Sequence, residues 1–339
     1  MPLRVLHLVG SPVDAFHADL SRLYAADCLT AIADPARYAT HIAYVAPDGR
    51  WRFPESLDAQ ALADAPSLPL AAAIERLRQL RLDVMVPQMF CRPGMTDYRA
   101  LFDLIGVPYL GNPPAAMALT ATKARAKAVV AAAGVSVPAG ELLREGDVPT
   151  LTPPVVVKPA SADNSAGVTL VTDPDDYAAA LGDAFAHDDE VLVEAYVPPG
   201  REVRCAVLER GGELVPLPLE EYRVSDIRRP ADKLARGDDG DLRLVAKDTP
   251  DAWIVDPDDP VTERVQAAAI RCHVALGCRH YGLFDFRIDA AGEPWFLEAG
   301  LYCSFARKSV ISVMAQAAGI AVDELFQMVL DECLQPQRR

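Results

Sequence analysis

A chain of 339 residues, 51% of them hydrophobic, is long for a single core and predicts two or three units. A net charge of −15 argues against a nucleic-acid backbone or an anionic membrane as partner, while still allowing nucleotides held by local cations. The seven cysteines are scattered without a C-x-x-C, the six histidines without an H-x-x-x-H, and no apolar run approaches the roughly 20 residues of a membrane span. Together with an apolar N-terminal run too short and too weakly basic for a secretion signal, this predicts a globular cytoplasmic protein in a reducing compartment.

Apolar periodicity predicts a strand over 3–9, a helix over 18–33, a strand over 41–45, a helix over 70–80, a strand over 83–87, a helix over 97–105 and a short extended run at 108–111. This alternation implies a parallel α/β sheet ending at Asn112-Pro113-Pro114. An alanine-rich helix over 122–133 stops at Gly134. Pro153-Pro154 then introduces Val155-Val156-Val157-Lys158, a strand ending in a lysine. A strand over 190–197 closes at Pro198-Pro199-Gly200, and another follows over 203–208. Residues 220–251 are dense in charge and predict a long mobile loop. A helix over 261–276, a hairpin over 281–298 and helices over 309–318 and 321–334 complete the chain. The expected units are 1–112, 113–200 and 201–339.

The hairpin is the most informative stretch. Strand 281–289, turn 290–293 and return strand 294–298 pair Asp285 with Glu298 on one face, and Leu283 with Gly300 beside them. Two carboxylates at cross-strand distance repel, and a hard cation between them reverses the sign, so the pair is a Mg²⁺ site candidate. A solvated acidic strand face is the alternative. The small-residue loop after Lys158, which includes Asn164, Ser165 and Gly167, lets backbone N–H groups approach a phosphate, although no P-loop motif is present. At the strand end of 194–202, unpaired backbone groups suit an adenine edge, with Glu194 and Glu202 as candidates for ribose hydroxyls or for orienting a lysine.

In their order and spacing, Thr122-Lys123, Lys127, VVVKP at 155–159, Ser165-Ala166-Gly167-Val168, VEAYVPPGRE at 193–202 and FDFRID…FLEAG at 284–300 resemble the ATP-grasp fold, and within it the D-alanine–D-alanine ligase branch. The resemblance covers most of the chain. It implies an α/β (α+β) class protein of three subdomains with an N-terminal parallel sheet. The implied reaction is ATP-dependent joining of a small carboxylate to an amine, with amino acids as substrates, through an acyl phosphate. It also implies ATP and Mg²⁺ as cofactors, a homodimer, and no nucleic-acid or membrane partner. By position, Lys123 and Lys158 hold phosphates. Asn164, Ser165 and Gly167 contact them from the loop, Glu194, Val197 and Glu202 hold the adenosine, and Asp285 and Glu298 hold the metal. Lys233 or Lys247 supplies a phosphate contact from a closing loop at 220–251. Ser165, Arg287, Ser309 and His17 are catalytic candidates.

Three positions depart from the family pattern. The Glu-x-Asn expected at the metal is Glu298-Ala299-Gly300. The arginine expected two residues before the metal aspartate is Leu283. The first-loop glutamate for a substrate ammonium has no clear counterpart, with His17 or Asp19 nearest. Leu283 and Gly300 oppose each other, so the two losses mark one rebuilt corner, with Arg287 or Arg307 as candidates for the missing charge. The readings that follow are a ligase for a pair other than two D-alanines, a homologue that binds nucleotide without ligating, and a cell-wall D-alanine–D-alanine ligase.

Overall fold

The structure is a computed structural model describing residues 1–161, 166–198, 200–224, 227, 234–236, 242–244 and 251–335. In the N-terminal unit, β1 (Leu3–Gly10), β2 (Tyr38–Val45), β3 (Trp51–Arg52) and β4 (Val84–Pro87) form a sheet in the order β3-β2-β1-β4. β1 is parallel to β2 and β4, and β3 is an antiparallel edge. Its strands read as continuous apolar runs because helices cover them: residues 5–10 of β1 are all buried. α1 (Ala15–Ala31), α2 (Ala59–Asp64), α3 (Leu70–Leu80), α4 (Arg92–Met95) and α5 (Asp97–Ile105) belong to this unit. The 108–111 run makes only one parallel bridge, Met85 to Tyr109, and is not a full strand.

Next come α6 (Pro114–Thr120) and α7 (Lys123–Ala132). The central sheet has the order β5-β8-β6-β7, from β5 (Gly140–Arg144), β6 (Val155–Pro159), β7 (Thr169–Val171) and β8 (Glu190–Ala195), and α8 (Tyr177–Phe185) packs against it. Neither β5 nor α8 stands out by periodicity in the sequence.

The C-terminal sheet contains β9 (Arg201–Arg210), β10 (Glu213–Pro216) and β11 (Glu220–Tyr222). A separate two-stranded pair, β12 (Leu234–Arg236) and β13 (Leu242–Leu244), follows. β14 (Ala252–Ile254), β15 (Tyr281–Ile288) and β16 (Pro294–Ala299) complete the sheet in the order β14-β11-β9-β15-β16, with β10 on β9. α9 (Thr262–Ala275) packs on one face, where Val203, Phe284, Phe286 and Phe296 share a core with Val265, Ala269 and α7 residues Ala126 and Val130. On the opposite face, Ala206, Leu208, Tyr281 and Leu283 join a second core with β1, β4, α10 (Val310–Ala317) and α11 (Val322–Leu334). Among the described residues no single helix is long and apolar enough to cross a membrane, and the bent pair α10–α11 meets that test only jointly.

Two expectations change here. Asp285 does pair with Glu298 and Phe284 with Ala299, yet toward the turn the register becomes Phe286 with Phe296 and Ile288 with Pro294. One extra residue in β16 forms a bulge between the two registers, which uniform pairing from the turn had not foreseen. The charged 220–251 segment is also not all loop, because Glu220, Glu221 and Tyr222 are a buried strand of the main sheet. Their charges are tolerated because the neighbouring strand carries arginines: Arg201 pairs with Glu221, and Arg204 lies opposite Glu220. Further along the segment lie β12 and β13, while Lys233 and Lys247 fall outside the described residues.

Gly10 ends β1 at φ +101°, and a Cβ there would lie 2.1 Å from the Val45 carbonyl oxygen. Gly10→Ala is therefore expected to destabilise the protein by more than about 1 kcal/mol, read as a lowered urea midpoint. An unchanged midpoint would show that the β1 end is not fixed as described.

Candidate active site

A cavity between the central and C-terminal sheets is lined by Lys123 of α7, Val156, Lys158 and Pro159 of β6, Glu194 and Ala195 of β8, and Tyr196 and Val197 beyond it. Glu202 of β9, Asp285 and Arg287 of β15, and Leu297 and Glu298 of β16 complete the wall, with Pro138, Val168 and Ile227 at the edge. The structure thus brings together Lys123, Lys158, Glu194, Val197, Glu202, Asp285, Arg287 and Glu298. Asn164 and Ser165 lie outside the described residues. Gly167 sits in the turn before β7 at φ +64°, where a Cβ would meet His187 and Pro159, so glycine is required there.

One wall is cationic. Glu194 is 3% exposed and takes Lys158 on one oxygen and Lys127 on the other, the latter at 3.0 Å. Lys158 therefore does not stand alone as the local positive charge. Lys127 is the residue that site reasoning passed over. It lies one helical turn beyond Lys123 and donates a second bond to the Phe296 carbonyl at 2.8 Å, joining α7 to the hairpin. Burial pushes the Lys127 ammonium down to about 8 despite its carboxylate neighbour. Burial works to raise the Glu194 carboxyl, and the two lysines overcome it and hold the group below the usual carboxylate range. Lys123 completes the wall, 3.7 Å from Glu298.

The facing wall is the polar side of the C-terminal sheet. Glu220, Arg204, Asp285 and Glu298 form one row across β11, β9, β15 and β16. Arg204 donates through Nε and Nη2 to Asp285 Oδ2 at 2.9 and 2.8 Å, and its guanidinium lies 4.9 Å over the Tyr222 ring. Burial opposes the Arg204 charge, and Asp285 more than restores it, raising the guanidinium well above its ordinary value. In the next row Arg287 faces Glu202 at 3.7 Å and bonds the Tyr196 hydroxyl at 3.0 Å. Arg287 thus serves the Glu202 side of the cavity rather than the corner at Leu283. Its Nε is buried with no hydrogen-bond partner among the described residues.

The remaining candidates sit apart from the cavity lining. His17 is in the first turn of α1, where Asp14 accepts from its backbone N–H at 2.7 Å and from Nδ1 at 2.9 Å, a capping arrangement. Asp19 pairs with Arg22 at 3.6 Å. Ser309 is the residue before α10 and shares a 2.7 Å hydrogen bond with Ser312. Arg307 forms a surface pair with Asp27 at 2.6 Å, so its role there is at the surface.

Removing the carboxylate between Lys127 and Lys158 leaves two buried ammonium groups facing each other. Glu194→Gln is expected to cost about 3–5 kcal/mol of stability, read from denaturant unfolding, and an unchanged midpoint would contradict the pairing. The depressed Lys127 also sets a pH window. Between about 8 and its ordinary 10.5 the unfolded chain binds a proton that the folded chain has released, so this group adds stability as pH rises through that window. The added stability should disappear in Lys127→Met, measured as the difference in midpoint between pH 8 and pH 10; an identical difference in both proteins would refute it.

Residues 140–331 match the family model described as D-ala D-ala ligase C-terminus. A D-alanine–D-alanine ligase from Citrifermentans bemidjiense is 31% identical over 68% of this chain and 72% of its own length. The vancomycin B-type resistance protein VanB of Enterococcus faecalis is 31% identical over 74% of this chain and 72% of its own. Among solved structures, the VanG D-Ala:D-Ser ligase of Enterococcus faecalis superposes with a TM-score of 0.78 at 21% identity, covering 98% of this chain and 99% of that one, which establishes the ATP-grasp architecture. The chain belongs to the D-alanine–D-alanine ligase family and is an ATP-dependent carbon–nitrogen ligase.

Proposed function

We propose that the cavity activates the carboxylate of one small amino acid with ATP and joins it to the amine of a second, and that the pair is not two D-alanines. The observation that carries the reading is the placement of Lys123 and Lys158 in one cavity with the cross-strand pair Asp285 and Glu298, with Lys127 fastened behind them on Glu194 and with Leu283 and Gly300 next along the two strands. In this reading Lys123 and Lys158 hold the phosphates, Lys127 fixes Glu194, and Glu194, Val197 and Glu202 face the adenosine. Arg287 anchors the Glu202 side. Asn164, Ser165 and Lys233 complete the phosphate contacts.

Asp285 and Glu298 fit Mg²⁺ as hard oxygen donors. Asp285 has a side chain 7% exposed and fixed by Arg204, while Glu298 is 37% exposed and open to the cavity. Two protein carboxylates are a usual complement for an ion that takes its other ligands from phosphates and water. When bound, the ion neutralises charge on the transferring phosphoryl group.

The reaction balances in two steps. A carboxylate oxygen of the first substrate attacks the γ-phosphorus, the bond to the β-γ bridging oxygen breaks, and ADP leaves. The amine of the second substrate then attacks the acyl carbon, gives up a proton, and expels phosphate to leave an amide. Lys127 and Lys158 are already held by the buried Glu194 carboxylate, so little rearrangement of them is needed as negative charge develops.

Gly300 leaves the corner without a side-chain oxygen, and its N–H is bonded to the Leu283 carbonyl at 2.8 Å. The two positions beside the carboxylate pair therefore both differ from the family pattern, which supports a different substrate pair. A screen of ADP release over D- and L-amino acids and small amines, singly and in pairs, is the test. ADP is expected only with two different substrates present, and Glu298→Gln should abolish it. D-alanine alone sufficing would return the chain to cell-wall synthesis. ADP never formed under any condition would favour a nucleotide-binding homologue that does not ligate.

A further inference from the structure

Leu283 carries no positive charge, but the strand beside it does, at Arg204. Arg204 lies directly opposite Asp285, and Ala206 opposite Leu283, so Arg204 is the diagonal neighbour of Leu283 on the same face. Diagonal positions are about 7–8 Å apart, within reach of an arginine side chain. The Gly300 side of Leu283 is open, since a Cβ on Gly300 would meet only Leu283 Cδ2, at 3.8 Å. A guanidinium from β9 therefore borders the space that a side chain at 283 would occupy in a larger form.

The way Arg204 is held suggests a function beyond fastening two strands. Both of its short bonds go to one oxygen of Asp285, a metal candidate, and its remaining nitrogen reaches Tyr222 Oη only at 3.4 Å. Its side chain is 14% exposed. Because both Arg204 bonds fall on Oδ2, a divalent ion that drew on that oxygen would compete with the guanidinium for Asp285. A buried guanidinium deprived of its carboxylate is costly unless a new anion takes its place.

We propose that Arg204 is the oxyanion-binding residue of the reacting corner, held on Asp285 until a divalent cation takes that carboxylate and then turned to a planar oxyanion of the reacting groups. The oxyanion is either the carboxylate of the amine-bearing substrate or the transferring phosphoryl group. The inference rests on the ligase reading of the cavity and explains how that corner works without an arginine at 283.

Three variants test it: Arg204→Leu, Arg204→Lys, and Arg204→Leu combined with Leu283→Arg. The first readout is Mn²⁺ binding in the presence of a non-hydrolysable ATP analogue, followed by electron paramagnetic resonance, and needs no turnover. Freed of its competitor, Asp285 should bind Mn²⁺ several-fold more tightly in Arg204→Leu than in the parent protein. The second readout is ADP release with the active substrate pair. Arg204→Leu should lose on the order of 10²-fold, Arg204→Lys should lose less, and Leu283→Arg should restore much of the loss. Assaying the amine substrate with its carboxylate converted to an amide separates the two oxyanions. A loss in KM confined to the free carboxylate identifies that group, and a kcat loss with both forms identifies the phosphoryl group. If no substrate pair gives ADP, the ligase reading fails, while the Mn²⁺ result still decides the competition at Asp285. Unchanged Mn²⁺ affinity together with unchanged turnover in Arg204→Leu would overturn the proposal. So would a loss of both that Leu283→Arg does not relieve, because that pattern marks a purely structural arginine.

Discussion

One inserted residue in β16 decides which side chains of the hairpin face the cavity. Along an uninterrupted strand, Phe296 and Glu298 are two apart and share a face. Phe296 is fully buried against Phe286 in the core, and Glu298 faces Lys123 across the cavity, so the two point to opposite sides of the sheet. The bulge between them resolves the conflict, bringing Glu298 level with Asp285 while Phe296 stays opposite Phe286. A one-residue slip in either direction exchanges the core face for the site face. The apolar core and the carboxylate pair thus depend on the same local irregularity.

Electrostatics follow from that placement. The acids of the C-terminal sheet would be unfavourable at this density without cations supplied by other elements: Arg204 for Asp285, Lys123 for Glu298, and Arg287 for Glu202. On the opposite wall Glu194 serves two lysines at once. Pairing across elements lets the protein, acidic overall at −15, keep a cluster of buried cations on one wall, where they attract polyphosphate over a short range. Lys127 fastens α7 to the hairpin through the Phe296 carbonyl, coupling the cationic wall to the strand that carries the bulge.

The sequence made the regular parts legible because their periods are local. The helices at 70–80 and 97–105 were read at their observed bounds, and the strand ending at Lys158 was placed within one residue of its end. Asp285 and Glu298 were paired correctly, although the turn-side register that led to them was one residue off. Arg204 and Lys127 were not read as site residues, since each gains its role from a partner on another element. Arg204 looks like an ordinary alternating strand residue, and Lys127 like one more charge on an alanine-rich helix. The same limit explains Glu220–Tyr222, whose charges suggest solvent until Arg201 and Arg204 are seen beside them. β5 and α8 were missed for a different reason: weak patterning is overridden by packing on β8.

A glycine and a leucine opposite each other, an arginine on the strand beside them, and a first helix capped by Asp14 rather than led by a glutamate are the features on which the proposal of a different substrate pair rests. The lysines and carboxylates that the proposal assigns to the nucleotide are in mutual contact. The central claim, carboxylate activation by phosphoryl transfer in this cavity, is tested most directly by isotope transfer. With ¹⁸O placed in the carboxylate of the first substrate, the account predicts that the released phosphate carries one ¹⁸O for each amide formed. Unlabelled phosphate accompanying product would show that the carboxylate never received the phosphoryl group, and would contradict it.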